Sequence, residues 1–141
     1  MKSNIMLLDA IYSNVRMGLE GIDYVIDTID DKNFLDELKK EKKEYETIAT
    51  EALELYNKYC TEEKDVSPIA KVSSYISTNL KLLKDSTVQN IAKMMMEGTN
   101  KGIIELTEKM HTYKAESDVN QLAEKLISIE EDNIEVLKPY L

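Results

Sequence analysis

Glycine and proline are scarce in this chain, with four of one and two of the other in 141 residues. A sandwich or barrel of short strands needs a turn roughly every 8–12 residues, so that class is excluded and long helices are expected. Cysteine is scarcer still: Cys60 stands alone, which excludes an intramolecular disulfide and any multi-cysteine metal knuckle. Long apolar runs are missing as well. Near the N-terminus, Asp9 cuts the run Ile5-Met-Leu-Leu8, well short of the roughly 7–15 residues of a secretory core or the about 20 of a membrane span. A reduced, cytoplasmic location is therefore the expectation. Basic residues are outnumbered, 18 Lys plus Arg against 27 Asp plus Glu, for a formal net charge of −9, and Arg16 is the only arginine. That balance excludes a protein that binds nucleic acid by neutralising phosphates, or one that docks on an anionic membrane.

What the chain does have is helical periodicity. Ile5, Leu8, Tyr12, Val15, Leu19, Ile22, Ile26 and Ile29 recur in steps of three and four, which predicts an amphipathic helix over about 3–29. Asp30 and Asp31 supply a tight turn and an N-cap. A second helix, about 32–60, follows with Phe34, Leu38, Glu41, Tyr45, Ile48, Ala52, Leu55 and Tyr59 on its seam. One of those seam positions, Glu41, is a carboxylate. Residues 61–67 are polar, and Ser67-Pro68 opens a shorter helix over 68–84, since proline is tolerated in a first helical turn. Ser86-Thr-Val-Gln89 matches a capping box and opens a helix over about 86–114, with Val88, Ile91, Met95, Thr99, Gly102, Leu106, Met110 and Tyr113 inward. Ser117 or Asp118 caps the last helix, 118–138, whose seam is Val119, Leu122, Leu126, Ile129, Asn133, Val136 and Tyr140. Pro139 ends it.

Four helices of about 22–28 residues, on the order of 35–40 Å each, are thus joined tightly in two pairs. The long connection between the pairs is enough to cross a bundle and place the second and third helices parallel. The fold expected is all-α, one domain over residues 1–141: a left-handed four-helix bundle of ferritin-like topology, with one long crossover carrying the short helix. Val15-Arg-Met-Gly-Leu-Glu-Gly-Ile22, Met96-Glu-Gly-Thr-Asn-Lys-Gly-Ile-Ile104 and Leu122-Ala-Glu-Lys-Leu-Ile-Ser-Ile-Glu-Glu-Asp-Asn-Ile134 resemble stretches of the small ferritin-like proteins of anaerobic low-GC bacteria. The resemblance implies the fold across nearly the whole chain and brings no activity with it.

A ferritin-like di-iron site takes a Glu from each of two helices and a Glu-x-x-His from each of the other two. Glu108-Lys-Met-His111 meets the spacing, yet it lies about two turns beyond mid-bundle and has no twin; a surface histidine in a last helical turn is the reading adopted. Glu130-Glu-Asp-Asn133 and Glu41-Lys-Lys-Glu44 look like the family motif with Asn133 and Glu44 in the histidine's place. A carboxylate-only set of Glu41, Glu44, Glu130 and Asn133 still suits a hard or borderline cation such as Fe or Mn, and this is the alternative to a site without metal. In the metal-free reading, Asn133 hydrogen-bonds across the core and Glu41 reaches solvent or a tyrosine. Glu20 and Glu97 fall outside the seams. Gly98 and Gly102 form a small-xxx-small pair, and with Gly18 they leave room for close helix packing or for a ligand.

No glycine-rich phosphate loop, serine elbow or Cys–His pair exists, so no catalytic residue is expected. Residues 65–115 carry 7 Lys and 5 acids, and residues 116–141 carry 2 Lys and 7 acids. These opposite balances favour pairing of the last two long helices and could support self-association. The expected function is a non-catalytic binding or interaction module with no cofactor, acting as a homo-oligomer or with a protein partner. The alternative is a carboxylate-rich Fe or Mn protein with storage or oxidase-like activity.

Overall fold

A computed structural model describes residues 2–60 and 87–141. Its elements are α1 (Lys2–Val25), continued by a 3-10 turn (Ile26–Thr28), then α2 (Lys32–Tyr59), α3 (Val88–Thr112) and α4 (Ser117–Leu137), closed by a 3-10 turn (Lys138–Tyr140). No strand occurs among the described residues. The expected short helix 68–84 lies outside the described residues.

The helix ends follow local chemistry. Asp31 caps α2, its carboxylate accepting from the Phe34 N–H at 3.0 Å. Thr87, rather than Ser86, caps α3 and accepts from the Asn90 N–H. The N-cap of α4 is Glu116, one residue ahead of the predicted Ser117 and two ahead of the alternative Asp118, and its side chain makes no capping bond. Its backbone N–H instead donates to Asn4 Oδ1 at 2.7 Å, so one orphan donor of that helix start is satisfied from α1. Asn4 is 2% exposed. It sits on the buried stripe three and four residues ahead of Leu7 and Leu8, a polar position the hydrophobic pattern does not flag.

Directions follow from the cross-helix contacts. Gly18 and Asp23 of α1 meet Tyr45 and Lys42 of α2, so α1 and α2 are antiparallel. Asn14 of α1 meets Gly102 of α3, while Asn4 meets Glu116 beyond the end of α3, so α1 and α3 are antiparallel too. Tyr59 with Asp118, Glu51 with Lys125, Tyr45 with Glu130 and Phe34 with Tyr140 order α2 against α4, again antiparallel. Since α2 and α3 both oppose α1, they run parallel to each other.

The core is one apolar cluster drawn from all four helices. On α2, Phe34, Leu38, Glu41, Tyr45, Ile48 and Ala52 are buried as the seam predicts, with Tyr56 replacing Leu55 and Tyr59 in the last turns. On α1, Leu8, Tyr12, Val15 and Ile22 are buried as the seam predicts, and the buried stripe widens on one side to take in Leu7, Ile11 and Val25, while Ile5 and Leu19 are half-buried. On α3 only Ile91, Ala92 and Leu106 are fully buried, so this helix contributes least to the core. Each fully buried Leu, Ile or Phe contributes about 1.5–3 kcal/mol, which places most of the stabilising burial on α1, α2 and α4. Among the described residues, no helix is long and apolar enough to cross a membrane.

Candidate functional site

Four polar side chains are buried among the described residues: Asn4, Glu41, Glu130 and Asn133. Three of them lie on α2 and α4. Glu41 is 3%, Glu130 2% and Asn133 6% exposed. Helical spacing explains why. Glu41 sits three residues past Leu38 and four before Tyr45, on the buried face. Glu130 lies four residues past Leu126, and Asn133 three further on.

The layer is completed by neighbours from every helix. Tyr45 of α2 donates its hydroxyl to Glu130 Oε2 at 3.0 Å, and the Thr99 hydroxyl of α3 lies beside that phenol. The Asn14 amide of α1 donates to the Gly102 carbonyl at 3.1 Å and also lies against the Glu130 carboxyl. The two inward glycines make these contacts possible. A Cβ on Gly18 would stand 2.7 Å from the Tyr45 ring, and one on Gly102 would stand 2.9 Å from the Asn14 amide nitrogen. Gly98 faces open space, so only Gly102 of the small-xxx-small pair is at a close approach. The room that glycine leaves at mid-bundle is filled by Tyr45 and Asn14.

Several polar atoms in the layer have no partner among the described residues. Glu41 Oε1, Glu44 Oε1, Glu130 Oε1 and Asn133 Nδ2 are buried and unbonded. Two expectations are therefore corrected. The amide nitrogen of Asn133 donates no hydrogen bond across the core, finding no acceptor within reach among the described residues. Glu41 does not reach solvent, and the hydroxyl of Tyr45 goes to Glu130 instead, because Tyr45 leans over Gly18 toward α4.

Electrostatics follow from burial, which the Lys40 charge only partly offsets at Glu41 and Glu44. Desolvation, reinforced by the Glu44, Glu37 and Glu130 carboxylates, pushes Glu41 up to about 8. Desolvation also pushes Glu130 up to about 8, against the lowering effect of the Tyr45 and Asn14 hydrogen bonds. Both carboxyls are thus largely neutral at pH 7. Burial raises Glu44 as well. Tyr45 is raised by burial and then by the Glu130 charge, so its phenol stays a hydrogen-bond donor.

The di-iron arrangement of the ferritin-like family does not fit these residues. His111 and Glu108 are exposed at the far end of α3, and Glu97 is exposed. Glu20 is half-buried beside Arg16, 3.6 Å away. Among the described residues, no group of three or more His, Cys, Asp or Glu side chains is drawn together closely enough to hold a metal ion. The four residues of the carboxylate alternative do share one region, and Glu41 feels the charges of both Glu44 and Glu130. Sequence reading missed Tyr45 as the member that bridges helices, and Asn14, which lies off the seam. The one available signal was Tyr45 four residues after Glu41 on the same face. Searches of family models, curated proteins and solved structures return no match.

Proposed function

We propose that this chain is a ferritin-like bundle acting in the cytoplasm as a non-catalytic binding or interaction module, without a di-iron centre. The observation that carries this reading is the occupation of mid-bundle by Tyr45, whose ring covers Gly18 and whose hydroxyl binds Glu130. The parallel course of α2 and α3 supports the ferritin-like topology, since it requires one long crossover between two antiparallel hairpins. A neutral, partly hydrogen-bonded layer in an otherwise apolar core acts on specificity of assembly rather than on chemistry. The partner is a second copy or another protein, met through the charged outer faces of the helices.

One observation favours a second reading, a carboxylate-rich Fe or Mn protein. Glu41, Glu44 and Glu130 each keep a buried oxygen free of any donor, and such oxygens suit a hard cation. Elemental analysis separates the two. Protein purified from medium supplemented with iron and manganese should carry far less than one metal per chain. Stoichiometric metal that is lost in Glu41→Ala would overturn the metal-free reading.

A further inference from the structure

Methionine is unevenly placed in this fold. Met1 lies outside the described residues; the others are Met6 and Met17 on α1, and Met94, Met95, Met96 and Met110 on α3. All of these are half-buried, and α2 and α4 have none. What they carry differs between the two helices. α1 is fastened by Leu7, Leu8, Ile11, Val15, Ile22 and Val25, all fully buried. On α3, no side chain from Lys93 to Glu105 is fully buried, a stretch of about three and a half turns. The apolar side chains of that stretch that pack on the core are Met94, Met95 and Met96. It is also tied by the Gly102 carbonyl, which accepts from Asn14 at 3.1 Å, and by the Thr99 hydroxyl beside the Tyr45 phenol.

We infer that Met94, Met95 and Met96 form an oxidation site through which hydrogen peroxide loosens α3 from the bundle. A thioether is a flexible apolar filler, whereas its sulfoxide is polar and disrupts packed cores. In the reaction the sulfur lone pair attacks one peroxide oxygen, the O–O bond breaks, an S–O bond forms and, after proton transfer, water leaves. Each methionine gives up two electrons and the peroxide takes them. Half-buried positions suit such a switch. Part of each residue is open to a small oxidant, and the rest sits in apolar contact that a sulfoxide must leave, since burying its oxygen without a donor is costly. Three consecutive residues span about 200° of the helix wheel, so no small rotation of α3 takes all three sulfoxides out of contact. Release of this stretch uncovers its inward face and the faces of α1 and α4 on which it packs. The same chemistry at Met6 and Met17 leaves α1 fastened by its buried leucines and isoleucines. The inference stands apart from the function proposed above, since it needs neither a metal nor a partner.

The test uses the full chain and hydrogen peroxide alone as oxidant. Wild type and the triple variant Met94→Leu/Met95→Leu/Met96→Leu, which keeps apolar volume but offers no thioether there, are treated near neutral pH. Sulfoxides are mapped by mass spectrometry of proteolytic fragments, Tm is followed by circular dichroism, and amide hydrogen exchange is read helix by helix. Oxidised wild type should carry sulfoxide at 94–96 and lose about 5 °C or more in Tm. Its amides over 93–105 should exchange at least about tenfold faster, while those of α2 and α4 change less. Reduction by methionine sulfoxide reductases should restore both. The treated triple variant should keep its Tm although Met6, Met17 and Met110 remain. Where that variant fails to fold, the wild-type time course decides: the fall in Tm must track sulfoxide at 94–96 and not at Met6 or Met17. Sulfoxide at 94–96 with unchanged Tm and unchanged protection of α3 would overturn the inference, as would an equal loss in the triple variant. Neither result bears on the function proposed above.

Discussion

Raising the pH from about 5 to about 8 should destabilise this bundle, and Glu130→Gln should remove a large part of that loss. Glu41 and Glu130 both titrate near 8 when folded, against 4.5 for a free carboxyl. Their folded values are raised, so the native state keeps protons that the unfolded chain releases. The stabilisation is fully present below about 4.5 and is lost as pH rises through about 8. Each carboxyl contributes a slope of about −1.4 kcal/mol per pH unit within that window. A gap of about 3.5 in pKa sums to on the order of 5 kcal/mol per group. Two such groups approach the whole stability of a small domain, about 5–15 kcal/mol, so the urea midpoint should move to low denaturant near pH 8. The substituted glutamine is neutral at every pH, and its carbonyl can still accept from Tyr45. The variant's slope should therefore be shallower than that of wild type by about 1.4 kcal/mol per pH unit, with Glu41 and the raised Glu44 contributing in both proteins. Above about pH 7.5 it should be the more stable protein. Asp118 does not confuse the reading: its Lys58 and Tyr59 partners lower its pKa, so its loss falls below the window. Urea unfolding followed by far-UV circular dichroism at stepped pH measures the slopes. A wild-type stability that is flat across the window, or curves for wild type and Glu130→Gln that run parallel, would refute the reasoning.

Other substitutions test the packing. Gly18→Ala should cost about 1–3 kcal/mol, because its Cβ would stand 2.7 Å from the rigid Tyr45 ring and the core must shift to admit it; thermal unfolding that matches wild type would contradict the close approach. Gly98→Ala should stabilise by about 0.5–1 kcal/mol, since the site is open and helical and alanine is the better helix former; an unchanged or lowered Tm would count against that open, helical setting. Asn133→Leu should be neutral or stabilising by about 1–3 kcal/mol, because a buried donor without a partner is removed; a marked fall in the urea midpoint would show that neighbouring groups depend on the amide.

The all-α class, the four long helices to within a few residues at each end, and the buried face of α2 almost position by position were legible in the residues alone. Those features are local. Periodicity, Asp31 as a cap and the scarcity of glycine and proline act through backbone hydrogen bonds and helix propensity, and neighbouring residues suffice to fix them. The same pattern marked Glu41 and Asn133 as polar residues on apolar faces. What those residues meet depended on the assembled bundle. Glu130, absent from the predicted seam, became core because α4 turns Ala123, Leu126 and Leu137 inward. Asn4 acquired its role from Glu116, 112 residues away in sequence. Tyr45 stood on the predicted seam, but Gly18 and Glu130 come from two other helices, and no one-dimensional pattern carries their meeting. Burial then set the carboxyls near 8: desolvation belongs to a closed interior, and the interior exists only once all four helices have packed.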